Sequence, residues 1–378
     1  LTLIPPSGST LSPSDEIFVS VNDTIVNLVN KTDVALKDLT IAYSRVSAVI
    51  ISNSNNITLS NVTIHNIGGT AVMIDGSHNS ISDSSVQYVG CAGISLNGGD
   101  MATLTASQNM VVRNNITQYA QRKRTYQPAV GFHGVGHQVI NNTVGDAPHC
   151  GMLGVGNDML FEGNTLHNLG YEVDDSGAFY TGRRWQDRGN VVRGNSFRHI
   201  RARVPTYLGY PSVQGLYLDD QMSGYTIYNN TFIDVQTGVM LGGGRRNHIK
   251  YNHFVNCTTG IQFDSRGTGY NGKANFGDWG TILQSLHDPC CPNNWVPGNP
   301  GVSPKPPQTT SGCCPNVRKG MPWSIRYPDL VTVLEDHPGL PCYNEVMYNT
   351  WSGVGKNITM SPEQATKFYS LISNNTAV

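Results

Sequence analysis

Short apolar stretches recur along the chain in a two-part order, and each is bounded by Gly, Asn or Asp. The first part is a triplet of Asn, a polar residue and an apolar residue. Six triplets begin at Asn114, Asn142, Asn164, Asn195, Asn230 and Asn252, with Val62 and Ser84 as weaker earlier members. Successive spacings are 22, 30, 28, 22, 31, 35 and 22 residues. The shortest spacing matches three short strands with three turns, and longer steps indicate loop insertions.

The second part is a four-residue strand whose second and fourth residues are predicted to point inward. These strands begin at Ala71, Gly93, Ala129, Gly151, Gly177, Gly215, Gly238 and Gly260. Stacking them predicts an inner column of Ile94, Val130, Met152, Ala178, Leu216, Val239 and Ile261. Tyr180 has inward parity in this alignment and is expected in the core.

The repeat predicts an all-β fold, a right-handed parallel β-helix, over residues 1–267. A β-sandwich is the structural rival, but its strands would not repeat one two-strand unit eight times. Residues 268–343 form a Cys/Pro/Gly-rich excursion, and 344–378 hold a final coil and a closing segment, with a helix expected from Ser361 to Ile372. Val21–Val29 and Val34–Val49 are the candidates for the earliest coils.

Composition narrows the function classes. Charged residues are 13% of the chain and the net charge is -1, so no nucleic-acid surface is indicated. The chain contains no run of 18 apolar residues, so no membrane span is predicted. The first ten residues lack the basic start and apolar run of a secretion signal, so the sequence is expected to be a mature or truncated product. The oligomeric state stays open.

Cysteines and sequons indicate an extracellular protein. Five of the eight cysteines cluster in the excursion and are expected to form disulfides, since zinc would require CxxC spacing, which is absent. These are Cys290, Cys291, Cys313, Cys314 and Cys342. Ten N-glycosylation sequons occur, at Asn22, Asn30, Asn56, Asn61, Asn115, Asn141, Asn229, Asn256, Asn357 and Asn374. Secretion is therefore expected.

The outward residue after each second-part strand forms a candidate functional column. It contains Asp75, Asn97, His133, Val155, Thr181, Asp219, Gly242 and Asp264. Coils lie about 4.8 Å apart, so the backbones of Asp219 and Asp264 should be about 9 to 10 Å apart, with Gly242 as a floor for a sugar ring. Paired carboxylates at such a separation are typical of inverting glycoside hydrolysis. Alternatively, the Asp264 side chain forms hydrogen bonds with the backbone of its turn. This structural role is less expected for Asp219.

Further polar residues are expected at the same edge. Asp220, Arg183, Arg184, Arg245 and Arg266 lie in the adjoining turns, and Tyr217 and Trp185 are candidates to stack on sugars.

Other charged residues are less well placed. Asp174 and Asp175 precede a strand, so only a sharp bend near Ser176 would bring Asp175 to Asp219. Asp187 and Glu172 are interpreted as surface charges. A single histidine such as His133 more often has a structural role than a catalytic one.

Several stretches between Asn97 and Phe263 resemble a large family of secreted, often bacterial, carbohydrate-degrading proteins with a right-handed β-helix. The stretches are LNGGDMATLT, TYQPAVGFHGVGHQVINN, DAPHCGM, GNDMLFEGN, DDSGAFYTGRRWQDRGNVVRGNSF, GLYLDDQMSG and GGGRRNHIKYNHFV, with MPWSIRYPDL further on. Some members resemble glycoside hydrolase family 141, which includes fucosidases and xylanases. The resemblance implies a catalytic pair of Asp174 or Asp175 with Asp219 or Asp220.

Three functions remain open from the sequence. The first is a cofactor-free glycoside hydrolase acting on an extracellular polysaccharide or glycan. The second is a polysaccharide lyase, in which Arg183 or Arg266 removes a proton and Asp219, Asp220 and Asp264 hold Ca²⁺ or another cation. The third is a non-catalytic structural or adhesive glycoprotein.

Overall fold

The computed structural model describes residues 8, 12–203, 212–266, 320, 322–333, 336, 340–360 and 370–378. Its strands follow one another around a coil and pair in parallel with the strands of the next coil. Three parallel faces result, each with its own column of strands. The repeat in the sequence corresponds to this coil, so the β-helix prediction is confirmed.

The first face carries the candidate column. Its strands are β1 Thr24–Val29, the first half of β4 Ser47–Ser60, β6 Val72–Ser77, β9 Ile94–Gly98, β12 Val130–Val135, β15 Met152–Asn157, β18 Ser176–Gly182, β21 Val213–Asp219, β24 Thr237–Gly242, β27 Thr259–Asp264 and β30 Lys356–Thr359.

The second face has β2 Thr32–Lys37, the second half of β4, β7 Ser80–Ser82, β10 Met110–Val112, β13 Gln138–Ile140, β16 Leu160–Glu162, β19 Asn190–Arg193, β22 Tyr225–Tyr228, β25 His248–Lys250, β28 Glu345–Met347 and β31 Leu371–Ser373. The third has β3 Thr40–Ala42, β5 Thr63–Ile67, β8 Ser85–Val89, β11 Asn115–Thr117, β14 Thr143–Ala147, β17 Thr165–Leu169, β20 Ser196–Ile200, β23 Thr231–Val235, β26 His253–Val255, β29 Thr350–Ser352 and β32 Thr376–Ala377.

The inner column of the first face has the predicted register except in one strand. Val130 pairs with Ile94 and Met152, and Val239 pairs with Leu216 and Ile261. In β18, however, Phe179 rather than Ala178 pairs with Met152 and Leu216. The strand is therefore shifted by one residue from the alignment, and a shift of one residue exchanges the two faces of a strand. Tyr180 consequently points outward, so its prediction as a core residue was wrong.

Buried asparagines hold consecutive coils together at the turn before the third face. In each pair, the side-chain oxygen of one Asn accepts from the backbone N–H of the Asn one coil before, as between Asn164 and Asn195 at 2.8 Å and between Asn195 and Asn230 at 2.9 Å. The Asn195 amide also donates to the carbonyl of Phe161 at 3.0 Å. These bonds satisfy turn groups that the strand ladders leave unpaired.

Replacing one amide of this ladder should destabilise the fold. Asn195→Ala leaves buried donors and acceptors without partners, and we expect a loss of about 3 kcal/mol in the free energy of unfolding. Urea denaturation measures this value. The neighbouring Asn115 is exposed, so Asn115→Ala should change stability by less than about 0.5 kcal/mol. Equal effects of the two substitutions would contradict a structural role for the ladder.

The residue before each of these buried turn asparagines has a left-handed backbone, and this geometry accounts for several sequons. Asn141 and Asn229 have φ of 56° and 54° and are followed by the buried ladder residues Asn142 and Asn230. A Thr then begins the third-face strand. Asn tolerates left-handed backbone better than most residues. The Asn-Asn-Thr sequons are thus in part a consequence of the turn, although all ten sequon asparagines are exposed.

Glycines line up at the C-terminal ends of several first-face strands. Gly98, Gly134 and Gly156 are paired in register and have φ of 147°, 124° and 149°. A β-carbon on Gly134 would lie 1.9 Å from the carbonyl oxygen of Gly98. Only glycine fits where adjacent coils approach so closely.

Aromatic rings fill the interior of the later coils. Phe197, Phe232, Phe254 and Trp351 stack in sequence with ring centroids 4.7, 4.8 and 4.7 Å apart. Trp351 belongs to the predicted final coil, whose strands β28 and β29 pair with β25 and β26. These strands extend the second and third faces by one coil.

The excursion returns to the turns beside β18. A short helix, α1 Pro322–Arg326, is followed by a 3-10 turn at Pro328–Leu330. Trp323 packs with Trp185, and its indole N–H donates to the carbonyl of Met101 at 2.8 Å. The connection therefore fastens the edge of the coils next to the candidate column.

Two expectations for the C-terminal part need comment. Leu371 and Ile372 lie in strand β31, so the predicted helix does not extend to Ile372; residues 361–369 of that prediction lie outside the described residues. Among the residues described, no disulfide is found. Cys290, Cys291, Cys313 and Cys314 lie outside them, and Cys342 is buried.

Candidate functional site

Four strands of the first face, β18, β21, β24 and β27, end at one cluster of carboxylates and arginines. Leu218 pairs with Leu241 and Gly242 pairs with Asp264, so Asp219, Gly242 and Asp264 follow one another in the outward column. The shift in β18 places Gly182, not Thr181, opposite Asp219. The predicted two-coil spacing of Asp219 and Asp264 is therefore found.

Asp219 is the most enclosed carboxylate of the cluster, with 8% of the residue exposed. Its Oδ2 accepts a hydrogen bond from the Tyr180 hydroxyl at 2.9 Å, and its Oδ1 accepts from the backbone N–H of Asp220 at 2.9 Å. The same Oδ1 contacts Nη1 of Arg266. Its orientation is thus fixed from three sides.

Arg266 joins three carboxylates. Its Nη1 contacts Asp219 and lies 3.0 Å from Oδ1 of Asp220, while its Nε donates to Oδ2 of Asp264 at 2.8 Å. Its Nη2 also bonds Asp264 at 2.5 Å. Although burial disfavours the charge, the hydrogen bonds and charge of Asp264 keep the pKa of Arg266 above its ordinary value.

The space over Gly242 is occupied by this arginine. A β-carbon on Gly242 would lie 2.9 Å from Cζ of Arg266 and 3.0 Å from the backbone nitrogen of Asp220. The expectation of an open floor for a sugar ring between Asp219 and Asp264 was therefore wrong, because the guanidinium fills that position. Glycine is still required there, since any side chain would displace Arg266.

Two stacked tyrosines connect the cluster to Asp175. The rings of Tyr180 and Tyr217 are parallel within 8° and their centroids are 5.1 Å apart. The Tyr217 hydroxyl donates to Oδ1 of Asp175 at 3.1 Å and lies 3.4 Å from Nη1 of Arg266. Asp175 is exposed and has a left-handed backbone with φ of 52°. This turn brings Asp175 toward the cluster, as the bend considered from the sequence required.

The buried environment raises the pKa of Asp219 to about 6. Burial is the largest cause, followed by the negative charge of Asp220, while the positive charge of Arg266 opposes the shift. Burial and the charge of Asp219 likewise raise the pKa of Tyr217 and Tyr180. A carboxyl group with this pKa is a general acid suited to mildly acidic or neutral pH.

The other predicted binding residues divide into two groups. Arg183 is largely exposed, with its Nε 2.8 Å from Oδ2 of Asp220, and it lies at the rim of the cluster. Arg184 and Arg245 lie away from it. Arg184 bonds Asp187 at 3.0 Å with little exposure. Arg245 is fully buried and lies over the Trp185 ring, so its prediction as a substrate-binding residue was wrong.

Two further expectations are corrected by burial. Trp185 is fully enclosed and cannot stack on a sugar. Asp187 is no surface charge: it is fully buried and accepts from Arg184 and from the backbone N–H of Gly156 at 2.9 Å. Glu172 is partly exposed and pairs with Arg124.

His133 lies in the outward column, three coils before Asp219. Its ring is half-buried, and burial and the charge of Arg184 lower its pKa. At about 4.8 Å per coil, roughly 14 Å separate it from the carboxylates. It therefore belongs to the same outward column, about three coils away from the cluster.

Comparison with known families agrees with this architecture. The family described as right handed beta helix region matches residues 7–126 and 128–275. The chain belongs to the right-handed β-helix family. No curated protein matches the chain. Right-handed β-helix domains are often carbohydrate-active, and their function depends on the groups that each face presents.

The β-helix leaves few candidates for a metal. Within the described ranges, no three His, Cys, Asp or Glu side chains are grouped as metal ligands. The positive charge among Asp219, Asp220 and Asp264 is supplied by Arg266.

In the part of the chain that the structure describes, no helix is long and apolar enough to cross a membrane.

Proposed function

We propose that this β-helix is a glycoside hydrolase acting on an extracellular polysaccharide or glycan, with Asp219 as its general acid. The observation that carries the proposal is the enclosed carboxyl of Asp219, whose pKa is raised to about 6, with the exposed carboxylate of Asp175 among the negative charges that raise it. Glycoside hydrolysis requires one protonated and one ionised carboxyl group. Asp219 supplies the proton to the leaving oxygen.

Asp175 is the partner that the contacts favour. Both carboxylate oxygens of Asp264 bond the side chain of Arg266, so this carboxylate holds the arginine in place. Among the residues that the structure describes, Asp175 accepts one side-chain hydrogen bond, from Tyr217, and the residue is exposed. It can therefore attack an anomeric carbon or activate water, while Asp264 positions Arg266.

The distribution of charge supports hydrolysis over elimination. The described residues of the cluster and its rim include four carboxylates, of Asp175, Asp219, Asp220 and Asp264, but only the guanidiniums of Arg183 and Arg266. Each guanidinium contacts a carboxylate. A lyase requires a positive group that attracts and neutralises the uronate carboxylate, and both of these guanidiniums are already paired with carboxylates of the protein.

Secretion is part of the proposal. All ten sequon asparagines are exposed, so a glycan at any of them would project into solvent. Detection of N-glycans on the protein isolated from its natural source would support this localisation, and their absence from all ten sites would remove the support.

A screen of the purified protein against polysaccharides tests the function. We expect release of reducing ends from at least one polymer, unchanged by EDTA because the proposed chemistry uses only carboxylates. An unsaturated, ultraviolet-absorbing product that disappears with EDTA would identify a lyase instead. Inactivity on every polymer would favour the structural glycoprotein.

The pH profile provides a separate prediction. As pH rises through about 6, Asp219 loses the proton that it must donate, so kcat/KM should fall about tenfold per pH unit above that value. Steady-state rates between pH 4 and 9 measure the alkaline limb. Tyr180→Phe removes a hydrogen bond that favours the ionised form and should move this limb to higher pH. A rate independent of pH up to 8 would exclude Asp219 as the acid.

A further inference from the structure

A twelve-residue connection, 118–129, lies between β11 and β12, whereas only residues 148–151 connect β14 and β15 one coil later. The longer connection is fixed at two points. The backbone nitrogens of Arg122 and Lys123 donate to the carbonyl of Gly90 at 2.8 and 2.9 Å. Nε of Arg124 bonds Glu172 at 2.7 Å, in the segment that precedes Asp175. The insertion is therefore attached beside the proposed site.

Tyr126 is the aromatic residue of this connection. Its φ is 53°, a left-handed backbone that bulky residues adopt rarely and at a cost. The residue is 40% exposed although its ring lies against His149, with centroids 4.8 Å apart and planes at 43°. One side of the ring is supported by protein, and the residue keeps substantial exposure.

His149 provides a rigid support for this ring. It is buried, and burial lowers its pKa to about 4, so the imidazole is neutral at ordinary pH. Its Nδ1 lies 3.3 Å from Oγ of Ser176, the first residue of β18. Asp175 immediately precedes that serine. Tyr126 is thus connected to the proposed catalytic carboxylate through two contacts.

The phenol of Tyr126 is also affected by the charges of the site. After burial, the charges of Asp175 and Asp219 are the next causes that raise the pKa of its phenol. A half-exposed tyrosine ring combines an apolar surface with a hydroxyl end that can form hydrogen bonds. This combination suits a pyranose, which has apolar C–H faces and hydroxyls at its edge.

We propose that Tyr126 forms a sugar-binding subsite next to Asp175, in which its ring stacks on one face of a pyranose. The inference rests on the proposed function, because it assumes that a glycan occupies the groove. It adds a specificity-determining residue and a position for a sugar beyond the carboxylates. The alternative is that the ring only covers His149.

Binding to inactive protein tests the subsite without turnover. Asp219→Asn protein is run in native gels containing arabinoxylan, mixed-linkage β-glucan or galactomannan, alone and combined with Tyr126→Ala or Tyr126→Phe. We expect retardation by one polymer, about tenfold weaker binding for the alanine variant and near-unchanged binding for phenylalanine, which keeps the ring. Thermal unfolding checks that each variant folds.

Tyr88 offers a matched control. It lies on the third face in β8, is 52% exposed and has φ of 53°, so Tyr88→Ala removes a somewhat more exposed ring from a backbone with the same φ as that of Tyr126. It should leave retardation unchanged.

Equal binding by the Tyr126→Ala variant and its parent, or no retardation in any gel, would overturn the subsite. If Asp219→Asn proves fully active while Tyr126→Ala weakens binding, the catalytic proposal fails and the subsite stands.

Discussion

Asp219→Asn should yield a folded protein whose hydrolytic rate is reduced roughly a hundredfold or more. The amide cannot donate the proton that the leaving oxygen requires, and the remaining groups of the cluster have no equivalent acid. The measurement is kcat on the polysaccharide identified by the screen. Near-normal activity would remove the hydrolase assignment of this groove.

Folding of this variant is expected to survive because the substitution preserves shape and most contacts. The amide oxygen can still accept from the backbone N–H of Asp220. Arg266 keeps its contacts with Asp220 and Asp264. Thermal unfolding within a few degrees of the wild type would separate lost chemistry from lost structure.

Asp234→Asn is the control for removal of a carboxylate. Asp234 lies in β23 on the third face, where it pairs with His199 and Arg201 at partly exposed positions. Such pairs contribute little, and Asn tolerates its left-handed backbone, with φ of 54°. Its rate should be unchanged.

Asp175→Asn should also lower the rate roughly a hundredfold, whereas Asp264→Asn should lower it less than about tenfold. The difference follows from the contacts: Asp175 has an exposed carboxylate, while Asp264 binds Arg266 through both oxygens. Loss of Asp264 leaves Arg266 bound to Asp219 and Asp220. Turnover numbers of the two variants at one pH decide the comparison.

The opposite order would assign the second catalytic role to Asp264. Hydrolysis would then require Arg266 to leave its position over Gly242 before a sugar binds. Azide can restore part of the rate of a variant that has lost the nucleophile or the base. A variant that only misplaces Arg266 should show no such rescue. This measurement separates chemistry from positioning.

Most of the fold followed from the sequence because a solenoid repeats one local pattern. Period-two alternation fixed the inward residues of most coils, and recurring Asn marked the turns where an amide bonds the next coil. The spacing also placed Asp219 and Asp264 in one outward column. Local patterns sufficed here because each coil contacts mainly its neighbours.

The register of β18 could not be read in this way. DDSGAFYTG allows two alignments that differ by one residue, and only pairing with β15 and β21 selects the one that turns Phe179 inward. That choice directs Tyr180 to Asp219 and, with the left-handed turn at Asp175, connects the two aspartates through the stacked rings of Tyr180 and Tyr217.

The sequence by itself determined the β-helix, its Asn turns and the column that contains Asp219. Tertiary structure alone decided which charges share the site. Arg266 reaches across Gly242 to three carboxylates, whereas Arg245 and Trp185 are buried beneath the returning excursion. The physical reason is that side-chain direction at turns depends on contacts between distant segments, for which local periodicity carries no information.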